Sequence, residues 1–287
     1  MSSEAEGRAA ADQFRNEHRL GRQPLGDLVA LIEQATGIDV SVLDAGPDEH
    51  GLTMRDPTRG TVFIGVARTR RPMRQRSTLA HELAHALFED WTDTSPPGST
   101  VRPPAEVRAD AFARHLLVPL LGLRDFLGAA RDADLATLSA VVQYFLVSPA
   151  IAVIAMEQAG YIDAATKQSW MSTTTPQLAV RYGWSDQYHA LQADADQRRA
   201  PQRLLTRAIH AYTEGLLAPQ AIATLRGVPV TTLEQELSEA GIVPAEDAVA
   251  WTPVADLPDA DVDLDALDAD LGGPGDDHES SWGPYTS

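Results

Sequence analysis

Two histidines one helical turn apart, His81 and His85 in STLAHELAHALFED (residues 77–90), flank Glu82 and are spaced for chemistry. Positions four apart on an α-helix differ by about 40° around the axis, so both imidazoles project from one face and can meet on one metal ion. Glu82 lies about 60° round from His85, off the ligand line but within reach of a water on that ion. That is where a general base belongs. Leu83 and Ala84 then face the interior.

A catalytic zinc commonly takes three protein ligands and leaves a fourth position for water. The chain has no cysteine, so the third donor must be histidine or carboxylate. Glu106 opens EVRAD near the start of a second expected helix, and Asp110 follows at i+4 on the same face. Glu106 can complete the ligand set, while Asp110 can accept a hydrogen bond from the free ring nitrogen of a ligand histidine and fix its orientation. Plainer readings stand beside these. Glu106 can serve the helix dipole, Asp110 can be a solvated acid, and H-E-x-x-H also arises by chance. His115, nine positions after Glu106, points about 180° away and is left out. His18, His50, His189, His210 and His278 have no comparable company.

The elements that must position these groups are readable from periodicity. PLGDLVALIEQATG (24–37) has helical spacing at Leu25, Leu28, Val29 and Ile32 and a stop at Gly37. IDVSVL (38–43), HGLTM (50–54) and TVFIGV (61–66) are short β-rich runs separated by turn-formers. ARTRRPMRQRS (67–77) is a basic connector, with Ser77 or Thr78 capping the histidine helix. Pro104 and Pro119 bracket the helix that holds Glu106.

Residues 138–156 are apolar over nearly the length of a membrane span. Gln143 and the Ser148-Pro149 pair instead predict two short buried helices and no membrane segment. TTLE (231–234) has the form of a capping box.

The expected fold class is α+β: a minimal zincin-like core of a three-stranded sheet, a zinc helix and a glutamate helix, followed by a mostly helical C-terminal region. The expected division is a flexible lead-in over 1–20, a core over 21–125 and a helix-turn-helix-like pair over 126–165 packed on it. A connector over 166–200, a helical segment over 201–243 and a disordered acidic tail over 244–287 follow.

The 287 residues carry a formal net charge of −18, and residues 245–287 contribute 12 acids and no Lys or Arg. The body is therefore only mildly acidic, at 29 acids against 23 bases, and the tail reads as a solubilising spacer. This balance argues against nucleic acid as the main contact of the body. Arg68, Arg70, Arg71, Arg74 and Arg76 form the one basic cluster, read first as a solvated rim and second as a contact for an acidic substrate segment. The N-terminus lacks an apolar signal, so a cytoplasmic location is expected.

RQRSTLAHELAHALF (74–88) and EVRADAFARHLLVP (106–119) resemble the zinc helix and the E-x-x-A-x-x-F-A-x-x-L-L-x-P helix of the ImmA/IrrE family of metallopeptidases. The likeness extends more weakly over residues 21–162. It implies that His81, His85 and Glu106 bind zinc (Zn2+) and that Glu82 activates water. It also implies a protein substrate, a helix-turn-helix (XRE-type) repressor whose loss derepresses genes. The N-terminal stretch is too short for a helix-turn-helix domain, so the repressor is expected as a separate protein.

Two other readings compete. A DNA-binding regulator would use the helical pairs at 133–162 and 206–242. Their second helices, LVSPAIAVIAMEQAG and GVPVTTLEQELSEAG, bring no Arg or Lys, and the latter offers Glu234, Glu236 and Glu239. A zinc-containing anti-repressor that sequesters without cutting would have no use for Glu82. For the oxyanion, Tyr144, Tyr161 and His115 are unranked candidates.

Overall fold

Small residues open the chain as a helix. The structure, a computed structural model, describes residues 2–46, 51–91, 102–129 and 133–245. The acidic tail, the Pro-rich loop ahead of Arg102 and His50 lie outside the described residues. Helix α1 (Ser3–Glu17) is capped by Ser2, whose hydroxyl accepts from the Ala5 amide. It buries Gly7, Ala11 and Phe14 against the helix that carries Glu106. A Cβ on Gly7 would stand 2.3 Å from the Arg108 carbonyl oxygen, so the crossing requires glycine. The expected flexible lead-in over 1–20 is thus corrected for residues 3–17. Its buried stripe consists mostly of Gly and Ala, which carry little apolar signal.

Helix α2 (Leu28–Thr36) starts at an Asp27 cap and stops at Gly37, whose φ of 71° is the left-handed stop expected there. Strands β1 (Asp39–Leu43), β2 (Gly51–Arg55) and β3 (Val62–Ala67) form one sheet in the order β1-β3-β2. β1 and β3 are parallel and β2 runs antiparallel to β3, with Thr53 opposite Ile64. Val40, Val42, Ile64 and Val66 are buried, whereas β2 is an exposed edge.

Helix α3 (Pro72–Phe88) carries His81 and His85 and begins inside the expected basic connector. Pro72 sets its first turn, so the cap expected at Ser77 or Thr78 is not formed. Arg76 corrects the solvated-rim reading. Its guanidinium donates to the carbonyls of Leu25 (2.6 Å), Gly26 (2.6 Å) and Leu146 (3.2 Å), and burial lowers its pKa to about 10. Arg70, Arg71 and Arg74 are exposed, and Arg68 pairs with Asp44 at 2.7 Å.

Helix α4 (Pro104–Leu117) carries Glu106, and α5 (Leu120–Leu127) follows it. Then α6 (Leu135–Phe145) and α7 (Pro149–Gln158) meet at 109°, with Ser148 capping α7 as expected. Their apolar faces, including Val141, Phe145, Val153 and Met156, are buried in the core. Among the described residues no single helix is long and apolar enough to cross a membrane.

The expected connector over 166–200 is mostly helical: α8 (Ala164–Trp170), α9 (Thr175–Arg181) and α10 (Ser185–Ala195). Trp184 and Tyr188 join the main core, and the Trp184 indole donates to the Ser139 hydroxyl at 2.9 Å. Beyond them Arg199 exchanges two backbone hydrogen bonds with Val42, of 2.9 and 3.0 Å, and closes the outer edge of β1. The last described helices, α11 (Gln202–Thr213), α12 (Pro219–Arg226) and α13 (Val230–Glu239), share a small cluster around Ile222, Ala223 and Leu233. α13 starts after Pro229 without a side-chain cap, so the TTLE capping box is not formed.

Asp27 joins the two halves of this body. One carboxylate oxygen accepts from the Val29 and Ala30 amides, and both receive the Arg199 guanidinium at 3.0 and 2.7 Å. Burial pushes the carboxyl up, but Arg199 and the capping amides outweigh it and hold it below its ordinary 3.8. A depressed acid adds stability that is complete above its unfolded value and fades as pH falls through the native one. Asp27→Ala should therefore cost roughly 1–2 kcal/mol, from a lost cap and a lost surface pair. A lower urea midpoint at neutral pH that converges on wild type in acid is the expected result. An equal deficit at both would rule out the carboxylate's charge as the cause.

Candidate metal centre

The fold crosses α3 and α4 so that residues 21 to 29 apart in sequence converge. His81 Nε2 and His85 Nε2 stand 3.0 Å apart, and each is 3.3 Å from one oxygen of Glu106. Tetrahedral zinc with bonds of about 2.0–2.2 Å places neighbouring donors about 3.3–3.5 Å apart. The three separations are close to what one ion requires.

The outer nitrogens make the case stronger. His81 Nδ1 faces Asp110 Oδ1 at 3.0 Å, and His85 Nδ1 faces Asp90 Oδ2 at 3.5 Å. Carboxylates there hold the ring protons on Nδ1 and leave both Nε2 atoms as bare lone pairs. In that tautomer two lone pairs and the Glu106 carboxylate face one another. They repel unless a cation lies between. His81, His85 and Glu106 could therefore hold a metal ion, and the donor set of two nitrogens and one oxygen fits zinc.

Burial lowers the His81 pKa, but the hydrogen bond and charge of Asp110, with Glu106 and Glu82, outweigh it and leave it raised. Burial likewise pushes Asp110 up, and His81 and Arg102 more than compensate, leaving it lowered. Arg102, at the mouth, contacts Asp110 and lies 3.8 Å from Glu106.

Asp90 escapes a reading by helical stripes because it lies beyond the end of α3. Glu89 takes a left-handed conformation (φ 57°), and the Asp90 amide bonds back to the His85 carbonyl at 3.0 Å. That reversal returns the Asp90 side chain to the ring of His85. Arg108 grips it at 2.8 and 3.1 Å while stacking on Phe88, 4.1 Å from the ring centre.

Glu82 is placed by the sheet. Thr53 on β2 donates its hydroxyl to Glu82 Oε2 at 2.7 Å and also lies 3.0 Å from the Glu82 carbonyl. Two positions earlier, on the same face of the strand, Gly51 leaves room for that carboxylate. A Cβ at Gly51 would stand 2.6 Å from Glu82 Oε1 and 2.5 Å from Thr78 Cγ2. Neither Thr53 nor Gly51 had a local signal; only the pairing of β2 with β3 brings them to α3.

His81, Glu82, Glu106 and Asp110 line an open cleft of about 620 Å³. None of the three oxyanion candidates does. His115 is buried with Nε2 3.4 Å from Glu4, Tyr161 donates to the Gly128 carbonyl at 2.7 Å, and Tyr144 stacks on Phe126 at 4.2 Å. His18 packs on Phe14, His210 pairs with Glu214 and His189 is exposed.

A helix pair that converges histidine and glutamate donors beside a small mixed sheet defines a metallopeptidase-type core. Residues 33–157 match the peptidase M78 family model, described as an IrrE N-terminal-like domain, a match that supports a metallopeptidase-type function. A comparison with curated proteins gives no match.

Removing an outer carboxylate from a ligand histidine typically costs about 10–100-fold in metal affinity. Asp90→Ala and Asp110→Ala should each show a loss of that order in competition with a chromophoric chelator, at unchanged helical circular dichroism. Wild-type retention in Asp90→Ala would exclude Asp90 from the site.

Proposed function

We propose that this protein is a zinc-dependent endopeptidase in which His81, His85 and Glu106 hold the metal and Glu82 is the general base. The observation that carries the reading is the set of three converging lone-pair donors, with a carboxylate behind each histidine and Glu82 beside them in an open cleft. Zinc, when bound, supplies Lewis-acid polarisation of a peptide carbonyl and acidifies water. The remaining work belongs to the chain. Asp110 and Asp90 hold the rings, and Thr53 orients the Glu82 carboxylate. Glu82 takes a proton from the attacking water and returns one to the leaving amine nitrogen, so that one peptide bond is exchanged for a carboxylate and an amine.

The substrate is, on this proposal, a regulatory protein of the helix-turn-helix (XRE) repressor class, and its cleavage derepresses genes in the cytoplasm. The support for that substrate is the likeness of 74–88 and 106–119 to the ImmA/IrrE motifs, together with the family match.

Glu82→Gln tests the proposal, because it keeps size and polarity but cannot accept the proton. Zinc stoichiometry should stay at the wild-type level while cleavage of a co-purified repressor or of a peptide library falls by about 10²-fold or more. Gly51→Ala should lower turnover by pushing the same carboxylate aside, again with zinc retained. Regulation in cells that survives Glu82→Gln would favour sequestration or DNA binding over proteolysis.

A further inference from the structure

The cleft does not end at the metal donors. It runs along α3 from His81 past Thr78 and Ser77 to Arg74, and along α4 from Glu106 past Asp110 to Arg114, with Ile151 and Ile154 of α7 as an apolar wall. Three guanidinium groups line it, and their circumstances differ. Arg102 is engaged with Asp110 and Glu106. Arg114 is neutralised by Glu4, with both oxygens at 2.6 Å. The exposed Arg74 has no side-chain hydrogen bond or ion pair among the described residues.

Resting on the peptidase reading above, we propose that Arg74 is a specificity-determining residue that selects substrates with an acidic side chain about three residues from the scissile bond. Arg74 is seven positions before His81. Seven residues return to within about 20° of the same helix face and advance about 10 Å along the axis. An extended peptide advances about 3.3 Å per residue, so about three residues span that distance. The geometry leaves Arg74 facing the third side chain out from the bond held at the metal donors. Ile151 and Ile154, one turn apart and partly exposed, offer an intervening apolar side chain a surface. The recognised segment is therefore apolar then acidic, counted outward from the cut. An unpaired guanidinium at the end of a partly apolar cleft is well suited to a carboxylate, because it binds in the charged, forked geometry of a substrate Asp or Glu.

The test uses the full-length, zinc-loaded protein. Digestion of a proteome-derived peptide library, with cut sites mapped by mass spectrometry, should show Asp and Glu enriched at the third position on one side of the cut. A matched peptide pair, acid against amide at that position, should differ roughly ten-fold in kcat/KM, the scale of one charge-assisted hydrogen bond. The difference should lie in KM. Arg74→Ala should bring the ratio to about one, and Arg74→Glu should invert it in favour of a lysine peptide. Because each variant is read as a ratio of two substrates, a partly unfolded preparation does not mimic the result. Cutting without acidic enrichment, or an acid preference that survives Arg74→Ala, would overturn the proposal while leaving the peptidase reading intact. If the wild type cuts no peptide, the peptidase reading falls. Fluorescence anisotropy of the same pair on zinc-loaded Glu82→Gln then decides Arg74 separately, and equal affinities overturn its role.

Discussion

Lone pairs do not gather unaided, and the site depends on the two carboxylates that force them to. Asp110 and Asp90 face the outer nitrogens of His81 and His85, which turns the inner nitrogens toward each other and toward Glu106. Asp110 is contacted by Arg102, just ahead of α4. Asp90 is held by Arg108, which also reaches Glu6 on α1 at 3.6 Å and stacks on Phe88. The N-terminal helix therefore enters the chain of support behind the metal donors. The network is not complete, since the buried Arg108 Nε has no hydrogen-bond partner among the described residues. Here the close α1–α4 crossing at Gly7 lets Glu6 come near enough to serve.

A second constraint comes from the C-terminal direction. Gln75, buried near the start of α3, donates to the carbonyls of both Ala67 and Ala195 and so ties β3, α3 and the end of α10 together. Arg199 then adds its backbone to β1 and its guanidinium to Asp27. Residues that follow the family segment thus complete its sheet edge, which would otherwise expose unpaired amides and carbonyls. The region beyond residue 157 is part of the scaffold that orients α3.

These two lines of support explain what could and could not be read from the residues alone. His81, Glu82 and His85 are related by helix periodicity, and so are Glu106 and Asp110, because both sets lie within two turns of one helix. Periodicity cannot place Asp90, which depends on a left-handed residue at Glu89, or Thr53, which depends on strand pairing. The three strands and the α6–α7 break at Ser148-Pro149 had strong local signals in β-branched runs and a cap-proline pair. Helix α1 was hidden because Gly7 and Ala11 pack by close approach and leave Phe14 as its one large buried apolar side chain. Helices α8, α9 and α10 were hidden because each is short and buries few side chains. Yet Asp163 and the Thr174–Gln177 pair cap α8 and α9 with ordinary signals that could have revealed them.

The two candidate ligand histidines and the proposed general base sit close together on α3 but answer to different partners. His81 and His85 are positioned across a helix–helix contact, by Glu106, Asp110 and Asp90. Glu82 is positioned across a helix–strand contact, by Thr53 and by the missing Cβ of Gly51. A shift of α4 would change the ligand geometry and leave the base where it is; a shift of β2 would do the reverse. The proposed mechanism requires both contacts to hold at once, so that water is bound and deprotonated in the same place. That accounts for why α3 is bonded at Gln75 to β3 and at Arg76 to the loops before α2 and before α7. The helix is the one element common to both tasks, and on its buried side its first turns are tied to β3, to the end of α10 and to the loops before α2 and α7.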